Sequence, residues 1–353
     1  MTNKRVDALR AKFSQLKIDG FLVTDPVNIY YLSNFTGDDG VLLITESNKY
    51  LLTDSRFEEQ IKVKNADWQA VITRNYLEEA CVLANQAHLA AIGFEDTLAY
   101  CSYDVLDETA ICDIVPFNGL IEELRSVKDP DEIKLISNSC SLADEGFDYV
   151  IKNIAPGQTE LDVANNLDHY MKTHGAFAQS FETILASGEH TTWPHGTATA
   201  RKLRPGDLIT LDFGYFVAGY TSDVTRTFGF GKQNDQVKKI YQIVLAAQQA
   251  TIAAVAPGVS GAHLDDVGRS LIERAGYGKY FNHGMGHGIG LGIHELPNVG
   301  KRYPDVMKPG QVITIEPGIY VPGVGGVRIE DDVLVTPSGY EVLTKADKPF
   351  LEL

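Results

Sequence analysis

The sequence predicts a mixed α/β (α+β) protein of two domains, and three observations carry that prediction. Short apolar, strand-like runs alternate with helical stretches over roughly the first 118 residues, a helix-start signal near Pro130 marks a junction, and the remainder contains an internal repeat. A chain of 353 residues fits two domains at the usual ~150 residues each. Apolar residues are 44% and charged residues 22% of the chain. That is the ordinary globular mix, and it excludes disordered, collagen-like and disulfide-scaffold proteins.

The first domain is assigned to residues 1–122. Val6, Leu9, Phe13 and Leu16 recur at helical spacing, so residues 4–17 read as one amphipathic helix. Strand-like runs follow at 21–24, 41–45, 50–53, 71–73 and 90–95, with helical stretches around 55–64 and 76–88. Strands and helices mixed in this way form α/β layers. The second domain, residues 123–353, opens on LRSVKDPDEIKLI. There Asp129 can cap a helix, Pro130 suits its first position and Glu132 completes a capping box. This helix is expected to run to about Asn153 and to bury Ile133, Ile136, Leu142, Phe147 and Val150.

The repeat follows. Ala155-Pro156-Gly157 and Ala256-Pro257-Gly258 each precede a turn, a capped helix and a glycine-terminated end. RPGDLITLD at 204–212 then aligns with KPGQVITIE at 308–316, an offset of 104 positions both from Pro205 to Pro309 and from Asp212 to Glu316. Such a period is too long for a solenoid unit. It points to two copies of one α/β half packed about a pseudo-twofold axis.

Each half therefore carries an acid at the end of one strand, Asp212 or Glu316, and a second acid on the next, Asp223 or Glu330. Pseudo-symmetry would bring all four to one centre. Four carboxylates cannot all ionise in a shared, partly buried site without cations, and two divalent ions would balance their charge. Histidine is the second signal. His283, His287 and His294 alternate with five glycines in HGMGHGIGLGIHE, and glycine lets a backbone approach a ligand closely. An oxygen-rich donor set with one imidazole suits Mn²⁺, with Co²⁺, Fe²⁺ or Zn²⁺ as alternatives. The run has neither the H-E-x-x-H of a zincin nor G-x-G-x-x-G, and no G-x-S-x-G competes elsewhere. Asp212-Phe213-Gly214 lacks the other kinase motifs.

Charge and targeting signals narrow the partners. The net charge of −16 disfavours duplex DNA and anionic membranes, either of which needs a basic face. The N-terminal residues lack the apolar core of a signal peptide, and no apolar run is long enough for a span. The four cysteines form no C-x-x-C pair. They read as free thiols, and the protein is expected to be cytoplasmic.

Taken together, LDFG-x7-SDVTRT, HGMGHGIGLGIHE, TIEPGIY and GVRIED resemble the pita-bread metallopeptidases, in the group of Xaa-Pro aminopeptidase (aminopeptidase P) and prolidase. The resemblance covers essentially the whole chain. It implies a creatinase-like N-terminal domain followed by a pseudo-twofold pita-bread catalytic domain, with a proline-containing peptide as substrate and a homodimer as the assembly. It implies two divalent metal ions, held at Asp212, Asp223, His287, Glu316 and Glu330. Glu316 would also shuttle protons for a metal-bridged hydroxide. His195, His283 and His294 would face the substrate, with Arg328 near its primed side.

Two positions depart from the pattern. Gly292 stands where the family carries an acid, and Trp193 is bulkier than expected and should narrow the pocket. Creatinase works without metal and has a degraded ligand set, methionine aminopeptidase lacks the first domain, and non-enzymatic relatives lose ligands. All five ligand positions are intact here. Between the two proline peptidases, YYLSNFTG and LLTDSRFEEQ favour bacterial aminopeptidase P, with prolidase as the alternative.

Overall fold

The structure, a computed structural model, describes residues 2–353. Its contacts divide the chain into a unit ending at Arg125 and a unit Ser126–Leu353. The first unit is built on six strands: β1 (Gly20–Val23), β2 (Val41–Thr45), β3 (Lys49–Thr53), β4 (Gln69–Ile72), β5 (Ala91–Glu95) and β6 (Asp113–Phe117). They lie in the order β4-β3-β2-β1-β5-β6. The central β1, β2 and β5 are buried throughout while the edge strands are partly exposed, as covered central strands and solvated edges require. Leu22, Leu43, Leu52, Ile92 and Phe94 form the core with Ala80, Ala84 and Leu106 from two helices.

The run read as one helix over 4–17 is two, Thr2–Arg10 and Phe13–Leu16. Periodicity persists across the break because Leu9 and Phe13 both reach the core. A helix at Pro26–Ser33, started by the Asp25 side chain on the N–H groups of Val27 and Asn28, was not anticipated. Neither were helices Tyr100–Thr109 and Leu120–Ser126.

The second unit opens on helix Pro130–Asn153, whose start is the anticipated capping box of Asp129 and Glu132. Its buried side differs at one end: Ile133 is half-buried, and Glu132 is buried instead, accepting a hydrogen bond from the Tyr220 hydroxyl at 2.8 Å. Helix Glu160–Thr173 follows, then β7 (Ala178–Gln179), β8 (Ile184–Ser187), β9 (Asp207–Phe213), β10 (Tyr215–Val217), β11 (Tyr220–Thr221) and β12 (Val224–Phe230). Helices Asp235–Ala253 and Gly261–Arg274 then precede β13 (Gly286–Gly288), β14 (Glu295–Val299), β15 (Val312–Ile315), β16 (Gly318–Val321), β17 (Gly325–Arg328), β18 (Asp331–Thr336) and β19 (Gly339–Val342).

The repeat is visible in the topology. The order β8-β9-β12 of the first half recurs as β13-β15-β18 in the second, which adds β14 and β19 at its edges. The hairpin β10-β11 has its counterpart in β16-β17. Each half has its own apolar core under its helix pair. Among the described residues no helix is long and apolar enough to cross a membrane, and all four cysteines are free.

Candidate active site

The strand ends carry the acids. Asp212 lies near the end of β9, Asp223 immediately precedes β12, Glu316 follows β15 and Glu330 immediately precedes β18. His287 sits in β13 between Gly286 and Gly288. That setting needs glycine: a Cβ at 286 would lie 1.9 Å from the Thr314 carbonyl oxygen, and one at 288 would lie 2.3 Å from that of Leu296. Without those side chains the strand packs close to its neighbours and holds His287 toward the acids. All nine anticipated residues line one cleft of about 200 Å³, together with Phe181, Ile184, Pro194 and Ile293.

The separations fit a cation-binding cluster. Donor atoms of Asp223, His287 and Glu330 lie within 4.8 Å of one another. His287 Nε2 is 3.6 Å from Asp223 Oδ2 and 3.7 Å from Glu316 Oε1. Its Nδ1 lies 3.1 Å from the Gly288 carbonyl oxygen. With the proton on Nδ1 and donated to that oxygen, the Nε2 lone pair faces the carboxylates, the arrangement a metal-bound imidazole needs. Asp212 Oδ1 is buried with no hydrogen-bond partner, an acceptor a cation would satisfy.

The electrostatics agree. Burial, reinforced by the neighbouring acids, pushes Asp223 and Glu330 far above the usual carboxylate range. Burial likewise pushes Glu316 up to about 8, although its side chain keeps 19% of its surface open to the cleft. In His287, burial and then the neighbouring His294 hold the imidazole down to about 4. A neutral imidazole beside protonated Asp223 and Glu330 is what this cluster favours alone; divalent cations reverse the balance and let the carboxylates ionise. The residues present thus fit a divalent, oxygen-preferring metal centre.

Around the centre, Arg328 is buried. Its Nη2 donates to Asp212 Oδ2, its Nη1 to the Tyr320 hydroxyl at 2.6 Å and its Nε to Thr225 Oγ1 at 3.1 Å. Thr225 in turn donates to Glu330 Oε2 at 2.6 Å. His283 is held on both ring nitrogens, Nδ1 2.9 Å from the Gly284 carbonyl oxygen and Nε2 3.0 Å from the Tyr320 hydroxyl. The His294 ring meets that of His287 edge-on at 4.4 Å. Its neighbour Glu295 accepts from the Gly292 N–H at 2.8 Å and pairs with buried Lys128 at 3.1 Å. Gly292 therefore sits inside a hydrogen-bonded turn. Trp193 does not narrow the pocket: it is 65% exposed and stands edge-on to His190 at 5.0 Å.

Sequence reasoning missed Thr225 and Tyr320. Their signal, a hydroxyl four residues after Glu316 and another two after Asp223, acquires meaning only once Arg328 is known to lie between them.

Comparison with known proteins decides the family. Residues 134–337 match Metallopeptidase family M24 and residues 5–127 match the Creatinase/Prolidase N-terminal domain. The chain belongs to metallopeptidase family M24. It is a pita-bread metallopeptidase carrying a creatinase-type N-terminal domain. A solved structure titled Xaa-Pro dipeptidase from Bacillus anthracis is 40% identical with a TM-score of 0.98, covering 100% of both chains. The Xaa-Pro dipeptidase of Pyrococcus furiosus is 36% identical over 99% of both chains. An X-Pro aminopeptidase structure from Thermotoga maritima is 32% identical with a TM-score of 0.90, covering 97% of this chain and 100% of its own. The relatives of this M24 chain thus fall in the prolidase and Xaa-Pro aminopeptidase group.

Proposed function

We propose that this M24 metallopeptidase is an Xaa-Pro dipeptidase, cleaving the bond before proline in dipeptides. The observation that carries the reading is the full-length likeness, at 40% identity, to a structure named as that activity. It reverses the preference for aminopeptidase P drawn from the N-terminal strings, because the relative named for that activity is more distant. Removal of the first residue from longer Xaa-Pro peptides is the second reading, supported by that same relative. Two divalent ions, preferably Mn²⁺, and a homodimer complete the proposal.

Asp212, Asp223, His287, Glu316 and Glu330 are the residues that would hold the ions. When bound, the ions supply charge neutralisation, a Lewis acid for the scissile carbonyl and a more acidic water. The remaining chemistry falls to the side chains. The prolyl nitrogen, like any amide nitrogen, leaves as an amine only if a proton is delivered to it. Glu316, open to the cleft, takes the proton from the attacking water and passes it to that nitrogen. Burial holds His294 below the ordinary imidazole range. A neutral His294 therefore donates its single N–H to the carbonyl oxygen as negative charge develops there. His195, on the lining of the same cleft, offers a second donor. His283 is fixed by Tyr320 and Gly284 and shapes the wall. Arg328, committed to Asp212, Tyr320 and Thr225, holds the floor.

The test is cleavage of Ala-Pro, Ala-Pro-Ala and Ala-Ala-Ala by the Mn²⁺-loaded protein. Ala-Pro should be the best substrate, at least ~100-fold faster than Ala-Ala-Ala, a barrier difference of ~2.7 kcal/mol. Faster cleavage of Ala-Pro-Ala would move the assignment to aminopeptidase P, and comparable cleavage of Ala-Ala-Ala would remove the Xaa-Pro reading.

A further inference from the structure

Glu160, the first residue of helix Glu160–Thr173, is 0% exposed. A carboxylate with no access to water needs donors on both oxygens, because an unpaired buried charge is strongly destabilising. Its donors come from two places in the chain. Oε1 accepts from the Ser187 N–H at 2.8 Å and the Ser187 hydroxyl at 2.6 Å. Oε2 accepts from the Thr199 N–H at 3.0 Å and the Thr199 hydroxyl at 2.6 Å. His190 Nδ1 lies 3.2 and 3.1 Å from the two oxygens. One carboxylate therefore closes both ends of the segment 187–199 and grips it once between. Pro194 and His195, which line the catalytic cleft, lie inside that closed segment.

Elsewhere the segment is anchored mainly through its 3-10 turn at Gly188–Thr192, where the Thr191 hydroxyl accepts from the Gly326 N–H at 2.8 Å; the stretch that carries His195 is a bend and turn beginning at the exposed Trp193. Side chains on such loops reach productive geometry only when a rigid element fixes them. We propose that Glu160 is the positioning residue for His195, holding the loop so that the imidazole meets the substrate carbonyl. The inference rests on the reading above that His195 addresses the substrate.

A double-mutant cycle in the Mn²⁺-loaded protein tests it. Glu160→Gln and His195→Ala should each lower kcat on Ala-Pro by about tenfold or more, with bound manganese unchanged, and the double variant should match His195→Ala within about twofold. Factors that multiply, or a Glu160→Gln protein with wild-type kcat, would overturn the proposal. A second readout needs no turnover. The chain has two tryptophans, so in a Trp68→Phe protein the fluorescence anisotropy reports Trp193, which stands against His190. It should fall in Glu160→Gln and in the milder Thr199→Val; unchanged anisotropy in both would also overturn the proposal. If Ala-Pro is not preferred, the functional reading fails by itself, and the same cycle run on whichever peptide is cleaved still decides the coupling.

Discussion

Residues 130–235 and 236–345 build one architecture twice, yet they do not contribute equally to the cleft. Both supply a helix pair, a three-strand core and a hairpin, and both place an acid at the end of one strand and another just before the next. The register differs by two residues. Leu211 stands opposite Arg226, three positions after Asp223, whereas its counterpart Ile315 stands opposite Asp331, one position after Glu330. The first half carries aspartates and the second the longer glutamates, and the imidazole beside the acids, His287, belongs to the second half alone.

The halves also hold their cleft histidines with opposite charges. In the first half the anion Glu160 closes the His195 loop. In the second, Arg269 on the counterpart helix pairs with buried Asp265 through two contacts of 2.7 Å. It then donates to the carbonyl oxygens of Phe281 at 3.0 Å and His283 at 2.7 Å. The position matching Glu160 is Gly261, where a Cβ would lie 2.3 Å from the Asn298 carbonyl oxygen. The acids are thus matched between the halves, whereas the histidines and their anchors are not, and these make the two sides of the cleft chemically unlike.

The largest expected effect tests the symmetric part. Asp223→Asn and Glu330→Gln should both lose bound metal and lower activity by at least ~10³-fold, about 4 kcal/mol in the barrier; exhaustive chelation should match them, and Mn²⁺ or Co²⁺ should restore the wild type. Metal loss in only one of the two variants would break the equivalence of the halves. Next comes the asymmetric part. His294→Ala should lower kcat by ~10²–10⁴-fold with metal content intact, while His287→Ala should lose metal. Equal metal loss in both would show that these two neighbours have been given the wrong roles.

A smaller effect is expected for the second-half anchor. Arg269→Lys keeps the charge but not the two carbonyl contacts, and should lower kcat by about tenfold. Elemental analysis should find its metal unchanged.

The smallest effect is a stability trend in the chelated protein. Burial raises Glu316 from 4.5 and Asp332 from 3.8, each to about 8. Their contribution is therefore full below the unfolded values and is lost as pH rises toward 8. His283 and His287, held down to about 3 and about 4 from 6.5, act in the opposite sense: their contribution is full above pH 6.5 and is lost only as pH falls below it. Between pH 6.5 and 8 the trend is therefore set by the acids. The melting temperature of the chelated protein should fall across that window by a few degrees, and added Mn²⁺ should raise it more at pH 8 than at pH 6.5. A flat profile would mean that Glu316 and Asp332 are not buried without metal.

Periodicity, turn residues and the 104-residue offset determined the second unit's long helix, the paired strands and the four acids by themselves. Those features rest on local chemistry, caps, alternation and glycine turns, which the chain carries wherever it goes. The helices at Pro26–Ser33, Tyr100–Thr109 and Leu120–Ser126 escaped notice because at 8, 10 and 7 residues they are short, too short to hold without tertiary packing, although Asp25-Pro26 carries the same start signal as Asp129-Pro130. Only the tertiary structure decided that Arg328 would be bound on three sides, that His283 would be held by Tyr320 and that Trp193 would stand outside the cleft. It alone brought Glu160 to residues 187 and 199. Each of these depends on which side chains meet across large separations, and burial then makes every unpaired polar atom there costly enough to demand a partner.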